Sequence, residues 1–294
     1  MRKAGYIAIV GRPNVGKSTL LNHLVGQKIS ITSRKPQTTR HRILGIKTIG
    51  DAQLMFVDTP GIHDGAGKAM NRAMNKSASA TLKEVDIVIF VVDKNLWTEA
   101  DERVLQLLTG LTSPVLVAVN KVDQLDDKNL LLPHLQVLAE KLPEAEFLPV
   151  SALRGLGLER LQDLVVERLP QGEFFYPEDQ VTDKSLRFLA AELIREKITR
   201  QSSLELPYQS AVEIETFREE SGLVSIDALI LVEKEGQKRI IIGEKGRKLK
   251  SIGSQARKEL EELMGCKVML KLWVKVKAGW SDSERALKSL GIFD

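Results

Sequence analysis

Residues 7–18 read IAIVGRPNVGKS, a short apolar run that passes directly into a glycine-containing turn. From Gly11 to Ser18 the sequence matches the pattern G-x-x-x-x-G-K-[ST], and an apolar helical pattern follows at residues 20–25. A strand, such a turn and a helix in this order form a loop whose main-chain N–H groups surround nucleotide phosphates. We therefore expect a phosphate-binding loop, in which Lys17 reaches the β- and γ-phosphates and the Ser18 hydroxyl binds Mg²⁺.

Further apolar runs resemble the first one, at residues 54–57, 87–92, 115–119 and 147–150. Short continuous runs of this kind are typical of strands buried on both faces, and helix-like stretches separate most of them. Their alternation predicts an α/β fold for residues 1–170, a mostly parallel sheet with helices on both faces. Residues 41–50 are expected to add an antiparallel edge strand.

An acidic motif, Asp58-Thr59-Pro60-Gly61, comes directly after one of these runs. At the carboxyl end of a strand, Asp58 is expected to hold Mg²⁺ through water, and the Gly61 N–H to sense the γ-phosphate. Between this motif and the phosphate loop lies Gln37-Thr38-Thr39-Arg40. A threonine here is expected to complete the magnesium shell when a triphosphate is bound. We favour Thr39, although spacing alone leaves Thr38 open.

The run at 115–119 ends in Asn120-Lys121-Val122-Asp123. The Asp123 carboxylate can accept hydrogen bonds from both N1–H and the exocyclic amine of guanine. Adenine lacks this donor pair, so ATP would leave a buried Asp123 carboxylate unpaired. Asn120 is expected to link the base to the phosphate loop, and the Lys121 stem to cover the ring face. After the next strand, Ser151-Ala152-Leu153 is expected to direct the Ala152 N–H to guanine O6.

These motifs have the order and approximate spacing of the translation-factor-related GTPases, which the sequence resembles over about residues 3–170. The resemblance implies GTP and GDP as ligands, Mg²⁺ as cofactor and GTP hydrolysis as activity. We expect catalysis to depend on Lys17, Thr39 and Gly61, and metal binding on Ser18, Thr39 and Asp58. The residues expected to contact the nucleotide are Gly11, Arg12, Pro13, Asn14, Val15, Gly16, Lys17, Ser18, Thr19, Asp58, Thr59, Pro60, Gly61, Ile62, Asn120, Lys121, Val122, Asp123, Ser151, Ala152 and Leu153.

The sequence departs from Ras-like GTPases after Gly61, where Ile62 replaces the glutamine that orients the attacking water. His63 follows, either as a general base or as a switch-loop residue without a mechanistic role, and we favour the second. The stretch from Gly11 to Asn14 resembles a GTPase subgroup without the glutamine, some of whose members use K⁺. This resemblance implies a K⁺ ion near Asn14 that supplies the positive charge provided elsewhere by an arginine.

Residues 171–182 contain proline and glycine without a helical period, and we expect them to form a linker. Beyond it, strands and helices no longer alternate regularly. The pattern predicts a second, smaller α+β domain over residues 183–294. The expected elements are a helix at 183–201, strands at 209–217, 223–234 and 238–242, a helix at 247–264, a strand at 266–277 and a final helix at 282–290.

The expected strand at 238–242 leads into Gly243-Glu244-Lys245-Gly246, and a basic amphipathic helix follows. Residues 234–277 hold 13 Lys and Arg against 5 Asp and Glu, whereas residues 183–233 hold 6 against 10. The helix-first order with G-x-x-G after the third strand resembles the type II KH fold, whose loop clamps a single-stranded RNA backbone. The resemblance assigns RNA binding to Ile242, Gly243, Glu244, Lys245, Gly246, Arg247, Lys248 and Lys250.

Composition narrows the class of protein further. The chain has 294 residues, a formal net charge of +4 and one cysteine, Cys266. One cysteine excludes an internal disulfide and a cysteine-only zinc site, and no apolar run approaches the roughly 18 residues of a membrane span. We expect a cytoplasmic protein. Two alternatives to a GTP-switched RNA-binding protein stay open, a P-loop ATPase or kinase and an RNA chaperone whose nucleotide site is only structural.

From end to end, including Trp273-Val274-Lys275-Val276-Lys277, the sequence resembles the Era family of bacterial GTPases. The resemblance implies that the protein assists assembly of the 30S ribosomal subunit, and we expect it to be a monomer. It also implies that the KH domain binds the 3′ end of 16S rRNA in the GTP form and releases it on hydrolysis. A peripheral association with the inner face of the cell membrane is a further implication of the resemblance.

Overall fold

The computed structural model describes residues 1–33, 35, 38–59, 69–202 and 209–289. Within these residues the chain divides into a first unit, built mainly from Met1–Ser30 and Met74–Asp183, and a second unit, built mainly from the residues after Asp183. The first unit also takes in residues 39–59, whereas the described residues between Ile31 and Thr38 are grouped with the second. In these ranges no helix is both long and apolar enough to span a lipid bilayer.

Strands and helices alternate along the chain up to residue 183, as the sequence predicts. In chain order they are β1 (Lys3–Val10), α1 (Lys17–Val25), β2 (Ile43–Ile49), β3 (Ala52–Asp58), α2 (Ala69–Leu82), β4 (Ile87–Asp93), α3 (Glu99–Leu108), β5 (Val115–Asn120), α4 (Leu131–Lys141), β6 (Glu146–Pro149) and α5 (Leu158–Arg168). A 3₁₀ turn at Val122–Gln124 follows β5, and another at Lys128–Leu130 leads into α4.

The strands of the first unit form a sheet in the order β2-β3-β1-β4-β5-β6. β2 pairs antiparallel with β3 at one edge, and the other neighbouring pairs are parallel. The predicted parallel sheet and its antiparallel edge strand are thus confirmed. Because β1, β3, β4 and β5 run in one direction, their last residues lie along the same edge of the sheet, at Val10, Asp58, Asp93 and Asn120.

The predicted linker, residues 171–182, forms hydrogen bonds with the first unit. The buried Gln53 side chain on β3 accepts from the N–H groups of Phe175 (2.8 Å) and Tyr176 (3.1 Å) and donates to the Tyr176 carbonyl (2.8 Å). Farther along, the Ile46 N–H on β2 donates to the carbonyl of Val181 over 2.9 Å. The segment therefore lies along β2 and β3.

The second unit has a sheet of order β7-β8-β9, in which β7 and β8 are antiparallel and β8 and β9 are parallel. Alternate residues of β8, among them Ile226 and Ile230, pack with residues of the neighbouring helices in one apolar core. This arrangement agrees with the predicted α+β domain. Its elements are α6 (Leu186–Gln201), β7 (Ser210–Glu220), β8 (Leu223–Val232), α7 (Glu235–Ile242), α8 (Arg247–Met264), β9 (Lys267–Val276) and α9 (Glu284–Ser289).

One element contradicts the sequence prediction. Residues 238–242, predicted as a strand, lie within helix α7. The run of isoleucines favours a strand by propensity. However, the Gln237 side chain accepts the N–H of Lys234 over 3.0 Å at the helix start, and Ile241 is fully buried in the core. The cap and the packing outweigh the propensity, so the G-x-x-G turn joins two helices.

Helix α6 buries charged side chains inside the second unit. Arg195 pairs with Glu192 at 2.7 Å, and Lys197 pairs with Glu196 at 2.9 Å. Thr32, from the segment grouped with this unit, donates its N–H to Glu196 over 2.8 Å. Buried charges need such partners, because an unpaired ion loses its hydration without compensation. The polar face of α6 is therefore part of the interior of the unit.

Candidate nucleotide site and RNA-binding loop

The phosphate loop connects β1 to α1, which begins at Lys17. The Lys17 ammonium lies inside the loop, where it donates to the carbonyls of Gly11 and Arg12, each over 2.9 Å. Burial lowers the pKa of Lys17 to about 8, because removal from water disfavours the charged form, whereas nearby Asp58 raises it. A cation at the first turn of a helix, surrounded by the loop, is placed to bind phosphate oxygens.

Asn120, the last residue of β5, joins the phosphate loop to the base motif. Its Nδ2 donates to the Val15 carbonyl over 2.7 Å, and its Oδ1 accepts the Ala152 N–H over 2.9 Å. A Cβ at Gly16, where φ is 106°, would lie 2.3 Å from Nδ2 of Asn120. Glycine is therefore required for this close approach. The sequence predicts that the Ala152 N–H binds guanine O6, whereas in the structure this N–H donates to Asn120.

The base motif turns sharply after β5. Lys121 has a left-handed φ of 66°, and the 3₁₀ turn that contains Val122 and Asp123 follows. The exposed Asp123 carboxylate accepts a hydrogen bond from the Ser151 hydroxyl over 2.6 Å. Leu153, farther along the same loop, is 63% exposed. The carboxylate predicted to bind guanine is thus oriented by the loop after β6, and it is exposed rather than buried as we expect from the sequence.

Hydroxyl groups from Ser18, Ser30 and Thr39 converge on Asp58. Their oxygens lie 2.7, 3.0 and 3.3 Å from Oδ2 of Asp58. Asp58 is fully buried, which raises its pKa, while Lys17 and these hydroxyls lower it. Its other oxygen, Oδ1, is buried without a hydrogen-bond partner among the residues that the structure describes. Oxygen donors with a spare buried carboxylate oxygen suit Mg²⁺, for which Ser18, Thr39 and Asp58 are the candidate residues.

The adjacent threonines 38 and 39 have different surroundings. The Thr39 hydroxyl lies 2.8 Å from the Ser18 hydroxyl, in the oxygen cluster. The Thr38 hydroxyl donates instead to the carbonyl of Lys35 over 2.6 Å. The sequence leaves open which threonine binds magnesium. The structure places the Thr39 hydroxyl, and not that of Thr38, in the oxygen cluster around Asp58.

The other predicted nucleotide residues surround the phosphate loop or fall outside the described ranges. Pro13 and Thr19 are half-buried, and Asn14 is exposed. The Thr59 hydroxyl donates to the Ile9 carbonyl over 3.1 Å and so ties β3 to β1. The predicted residues outside the described part of the chain are Pro60, Gly61, Ile62 and His63.

Some polar residues of the site were missed by sequence reasoning. Asp93, the last residue of β4, is paired in register with Asn120 and lies 2.8 Å from the Lys121 ammonium. Its position at the carboxyl end of a parallel strand is the pattern that could have indicated it. Ser30 has no comparable pattern, because its contact with Asp58 joins positions far apart in the chain.

The G-x-x-G turn lies between α7 and α8, next to the half-buried Ile242. Lys248, on the first turn of α8, is half-buried, and burial lowers its pKa. The turn and the start of α8 therefore place main-chain N–H groups and cations together, as phosphate binding requires. The exposed predicted residues here are Glu244, Lys245, Arg247 and Lys250.

Left-handed backbone at non-glycine residues occurs in the predicted ligand loops. Among the residues that the structure describes, it is found at Asn14 (φ 66°), Lys121 (φ 66°) and Lys245 (φ 50°). These belong to the phosphate loop, the base motif and the G-x-x-G turn. Asparagine adopts this conformation readily. At the two lysines it costs about 1–3 kcal/mol and persists where the surrounding structure enforces it, often at ligand sites. Backbone strain therefore coincides with the motifs that the sequence singles out.

Family models match two separate parts of the chain. Residues 6–121 match the family described as 50S ribosome-binding GTPase, and residues 205–281 match the KH domain. The first match includes the phosphate loop and the start of the base motif. The second includes the G-x-x-G turn. Each predicted domain thus corresponds to a known family.

Similar proteins match the chain over almost its whole length. GTPase Era from Azotobacter vinelandii is 65% identical over 292 residues, which cover 99% of this chain and 97% of that protein. GTPase Era from Pseudomonas aeruginosa is 62% identical, with 99% of this chain and 96% of that protein covered. Relatives of this similarity show the family directly.

Solved structures agree with this result. A crystal structure of Era in complex with MgGDPNP and nucleotides 1506–1542 of 16S ribosomal RNA matches with a TM-score of 0.96 and 41% identity, covering 100% of both chains. A variant of Aquifex aeolicus Era bound to GDP·AlF4⁻ also gives 0.96 and 41%, covering 99% of this chain and 100% of its own. The predicted order of a P-loop GTPase domain and a KH domain is confirmed, and so are the predicted GTPase activity and RNA binding. The chain belongs to the Era family of GTPases.

Proposed function

We propose that this GTPase binds the 3′ end of 16S rRNA through its KH domain and assists assembly of the 30S ribosomal subunit. The proposal rests on one observation: a single chain contains both a guanine-nucleotide site and a G-x-x-G turn bordered by exposed cations. Similarity to a chain solved with MgGDPNP and nucleotides 1506–1542 of 16S ribosomal RNA supports both ligands. The GTP form holds the RNA, and hydrolysis releases it.

The proposed nucleotide complex assigns one task to each motif. Lys17 binds the β- and γ-phosphates, and Asp123 binds the guanine edge. Ser18 and Thr39 bind Mg²⁺ directly, whereas Asp58 binds it through water. When bound, Mg²⁺ neutralises charge on the phosphate oxygens. The support for these assignments is the convergence of hydroxyls on Asp58 and the position of the Lys17 ammonium inside its loop. Gly61 is proposed to donate its N–H to the γ-phosphate.

We also propose that K⁺ binds beside the phosphate loop near Asn14 and supplies positive charge during hydrolysis. Asn14 is exposed and offers an amide oxygen, the type of donor that suits an alkali cation. Asn14→Gly removes this oxygen and keeps the left-handed backbone. In the wild type, hydrolysis should be several-fold faster in K⁺ than in Na⁺ at equal ionic strength, and the variant should lose the difference. Equal rates in both salts would overturn this proposal.

The proposed RNA target is tested by binding of two labelled oligonucleotides of equal length and composition. One has the sequence of the 16S rRNA 3′ end and the other is scrambled. With a GTP analogue bound, we expect at least about tenfold tighter binding to the first, because base contacts add to phosphate contacts. Equal affinities would contradict the proposed target.

The proposed RNA-binding loop is tested by a pair of charge variants. Lys245→Asn removes a cation from the turn and retains a residue that tolerates left-handed backbone. Lys258→Asn removes an exposed cation from α8 several turns away. The first variant should weaken RNA binding about fivefold to tenfold, and the second should have little effect. Equal weakening would indicate attraction by net charge alone and would overturn the assignment of the turn.

Measurements of nucleotide and RNA binding distinguish the two alternative functions. A P-loop ATPase or kinase would bind ATP about as tightly as GTP. An RNA chaperone with a structural nucleotide site would bind RNA equally in the presence of GTP, GDP or neither nucleotide. The comparisons with known proteins favour neither alternative.

We propose further that residues 1–170 and 183–294 act as nucleotide and RNA domains joined by residues 171–182. The separate family matches support this division. We propose that the protein is cytoplasmic and monomeric, with a sedimentation mass near 32.7 kDa. A peripheral contact with the inner face of the membrane should appear as binding to vesicles that contain phosphatidylglycerol but not to pure phosphatidylcholine. Binding to neither vesicle would contradict the membrane contact.

A further inference from the structure

Arg12 and Lys121 lie in different nucleotide motifs and share one carboxylate. Oδ2 of Asp93 lies 2.8 Å from Nζ of Lys121 and 3.5 Å from Nη2 of Arg12. Oδ1 of Asp93 accepts the N–H of Lys94 over 2.9 Å, which holds the carboxylate at the end of β4. The Arg12 and Asp93 side chains are only 15% and 13% exposed. These ion pairs are therefore largely shielded from water and hold a defined geometry.

Asp101 holds the other side of the Arg12 guanidinium. Its Oδ2 accepts from Nε of Arg12 over 2.9 Å, and from the N–H and hydroxyl of Thr98 over 2.9 and 2.8 Å. The Asp101 side chain is fully buried at the start of α3, where it caps the helix. Because the cap ties this carboxylate to the helix, it cannot follow a moving guanidinium. The Arg12 guanidinium is consequently held by α3 on one side and by β4 on the other.

The ion pairs of Asp93 are separate from the hydrogen bond that the Asn120 side-chain amide donates to Val15. Asp93 and Asn120 occupy paired positions at the ends of the neighbouring parallel strands β4 and β5. Asn120 reaches the phosphate loop at the Val15 carbonyl, whereas Asp93 reaches it at Arg12. The phosphate loop is thus connected to the strand ends that carry the base motif at two different positions.

We infer that Asp93 is a positioning residue for guanine-nucleotide binding, which sets the separation of the phosphate loop and the base motif through Arg12 and Lys121. A nucleotide must contact both motifs at once, so its affinity depends on how well their separation is held before binding. A site held in the bound geometry loses less conformational entropy when the ligand binds. Asp101 contributes by restraining Arg12. This role of Asp93 concerns the nucleotide site alone and is independent of the proposed RNA target.

The loss of negative charge and the loss of positioning have opposite expected effects on nucleotide affinity when Asp93 is replaced by asparagine. Removal of a carboxylate near a phosphate site makes the local potential more positive, which by itself strengthens the binding of an anionic nucleotide. Loss of positioning weakens that binding. Asparagine has nearly the same volume as aspartate and keeps an oxygen for the Lys94 N–H, so the turn after β4 is retained. Weaker binding by Asp93→Asn would therefore identify positioning as the dominant role.

The experiment measures GDP and GTP-analogue affinity by fluorescence titration, together with kcat and KM for GTP hydrolysis. In Asp93→Asn both affinities should fall together, about fivefold to twentyfold, and KM should rise by a similar factor. The kcat at saturating GTP should stay within about twofold, because the ion pairs of Asp93 join motifs rather than reach the γ-phosphate position. Asp93→Glu keeps the charge and should recover part of the affinity.

Asp86→Asn is the matched control. Asp86 precedes the opposite end of β4, and its carboxylate also accepts a main-chain N–H, that of Tyr6 over 2.7 Å. This control variant should bind nucleotides like the wild type. Unchanged or tighter GDP binding by Asp93→Asn would overturn the inference, and so would a lower kcat at constant KM. Equal weakening in both variants would overturn it as well, since that result would indicate a general loss of stability.

Discussion

The Thr39 hydroxyl lies 2.8 Å from the Ser18 hydroxyl, and both also approach the buried carboxylate of Asp58. These groups come from the loop before β2, the start of α1 and the end of β3. They meet close to the Lys17 ammonium, which interacts electrostatically with Asp58. The neighbouring Thr38 hydroxyl points away from this cluster and donates to the main-chain carbonyl of Lys35. The two threonines therefore provide a matched pair for testing the magnesium site.

Thr39→Ala should raise the Mg²⁺ concentration needed for half-maximal binding of a GTP analogue about tenfold, since one lost ligand oxygen costs roughly 1–2 kcal/mol. Mg²⁺-dependent binding of GDP should change little, because this threonine is expected to join the metal only in the triphosphate state. Thr38→Ala should behave like the wild type in both titrations. A similar shift for the two variants would be inconsistent with the assignment.

Nucleotide affinity should depend on pH through Lys17, whose pKa burial lowers to about 8. Bound phosphates favour the charged ammonium and raise this pKa. Below pH 8 the free protein already holds the proton, so affinity is nearly constant. Above pH 8 the proton must be taken up on binding, and affinity falls by up to about tenfold per pH unit. Calorimetry of GDP binding between pH 7 and 9, in buffers of different ionisation enthalpy, should detect proton uptake that grows above pH 8. Proton release there would contradict the assignment.

Asp123→Asn should reduce GTP affinity at least about a hundredfold, because an amide cannot accept from both guanine donors. The same variant should lose most of the preference for GTP over ITP, whose base lacks the exocyclic amine. Ser151→Ala removes the hydroxyl that donates to Asp123 over 2.6 Å and should cost about tenfold in affinity with the preference retained. Competition binding with both nucleotides measures these effects. If Asp123→Asn kept the wild-type preference for GTP over ITP, guanine would have to be recognised by other residues.

The two glycines of the G-x-x-G turn should respond differently to substitution. A Cβ at Gly243 would lie 2.7 Å from Cβ of Lys248, whereas a Cβ at Gly246 meets no described atom within 4 Å. Asparagine tolerates the left-handed backbone at Gly246. Gly246→Asn should therefore keep Tm within about 2 °C and weaken RNA binding about tenfold, because its side chain occupies space that the RNA backbone needs. Gly243→Asn should lower Tm by about 5 °C or more. Normal RNA affinity for Gly246→Asn, measured by anisotropy, would argue against phosphate binding at this turn.

The GTPase fold was predictable because the phosphate loop and the base motif each combine an uncommon residue pattern with an apolar strand before it. Parallel strands bring their carboxyl ends to one edge of the sheet, so order in the sequence indicates proximity in space. Residues 238–242 lacked this information. A short apolar run has the same appearance in a strand and in a short buried helix, and the distinction depends on the Gln237 cap and on the packing of Ile241.

The polar network around the nucleotide site was less predictable. Asp101 contacts Arg12 across 89 positions, and Asp93 contacts Lys121 across 28. Ser30 and Asp58 are also 28 positions apart. No local periodicity encodes such pairs, because they arise only when the strands take their places in the sheet. The choice between Thr38 and Thr39 depends in the same way on which hydroxyl faces inward.

The most direct test of a GTP-switched RNA-binding protein is RNA affinity in three nucleotide states of the intact wild-type protein. An oligonucleotide with the sequence of the 16S rRNA 3′ end is titrated with the GTP-analogue form, the GDP form and the nucleotide-free form at fixed salt and Mg²⁺. Constant salt is essential, because phosphate contacts make RNA affinity strongly salt-dependent. We predict at least about tenfold tighter binding in the GTP-analogue form than in the other two. The same affinity in all three states would show that nucleotide does not control RNA binding.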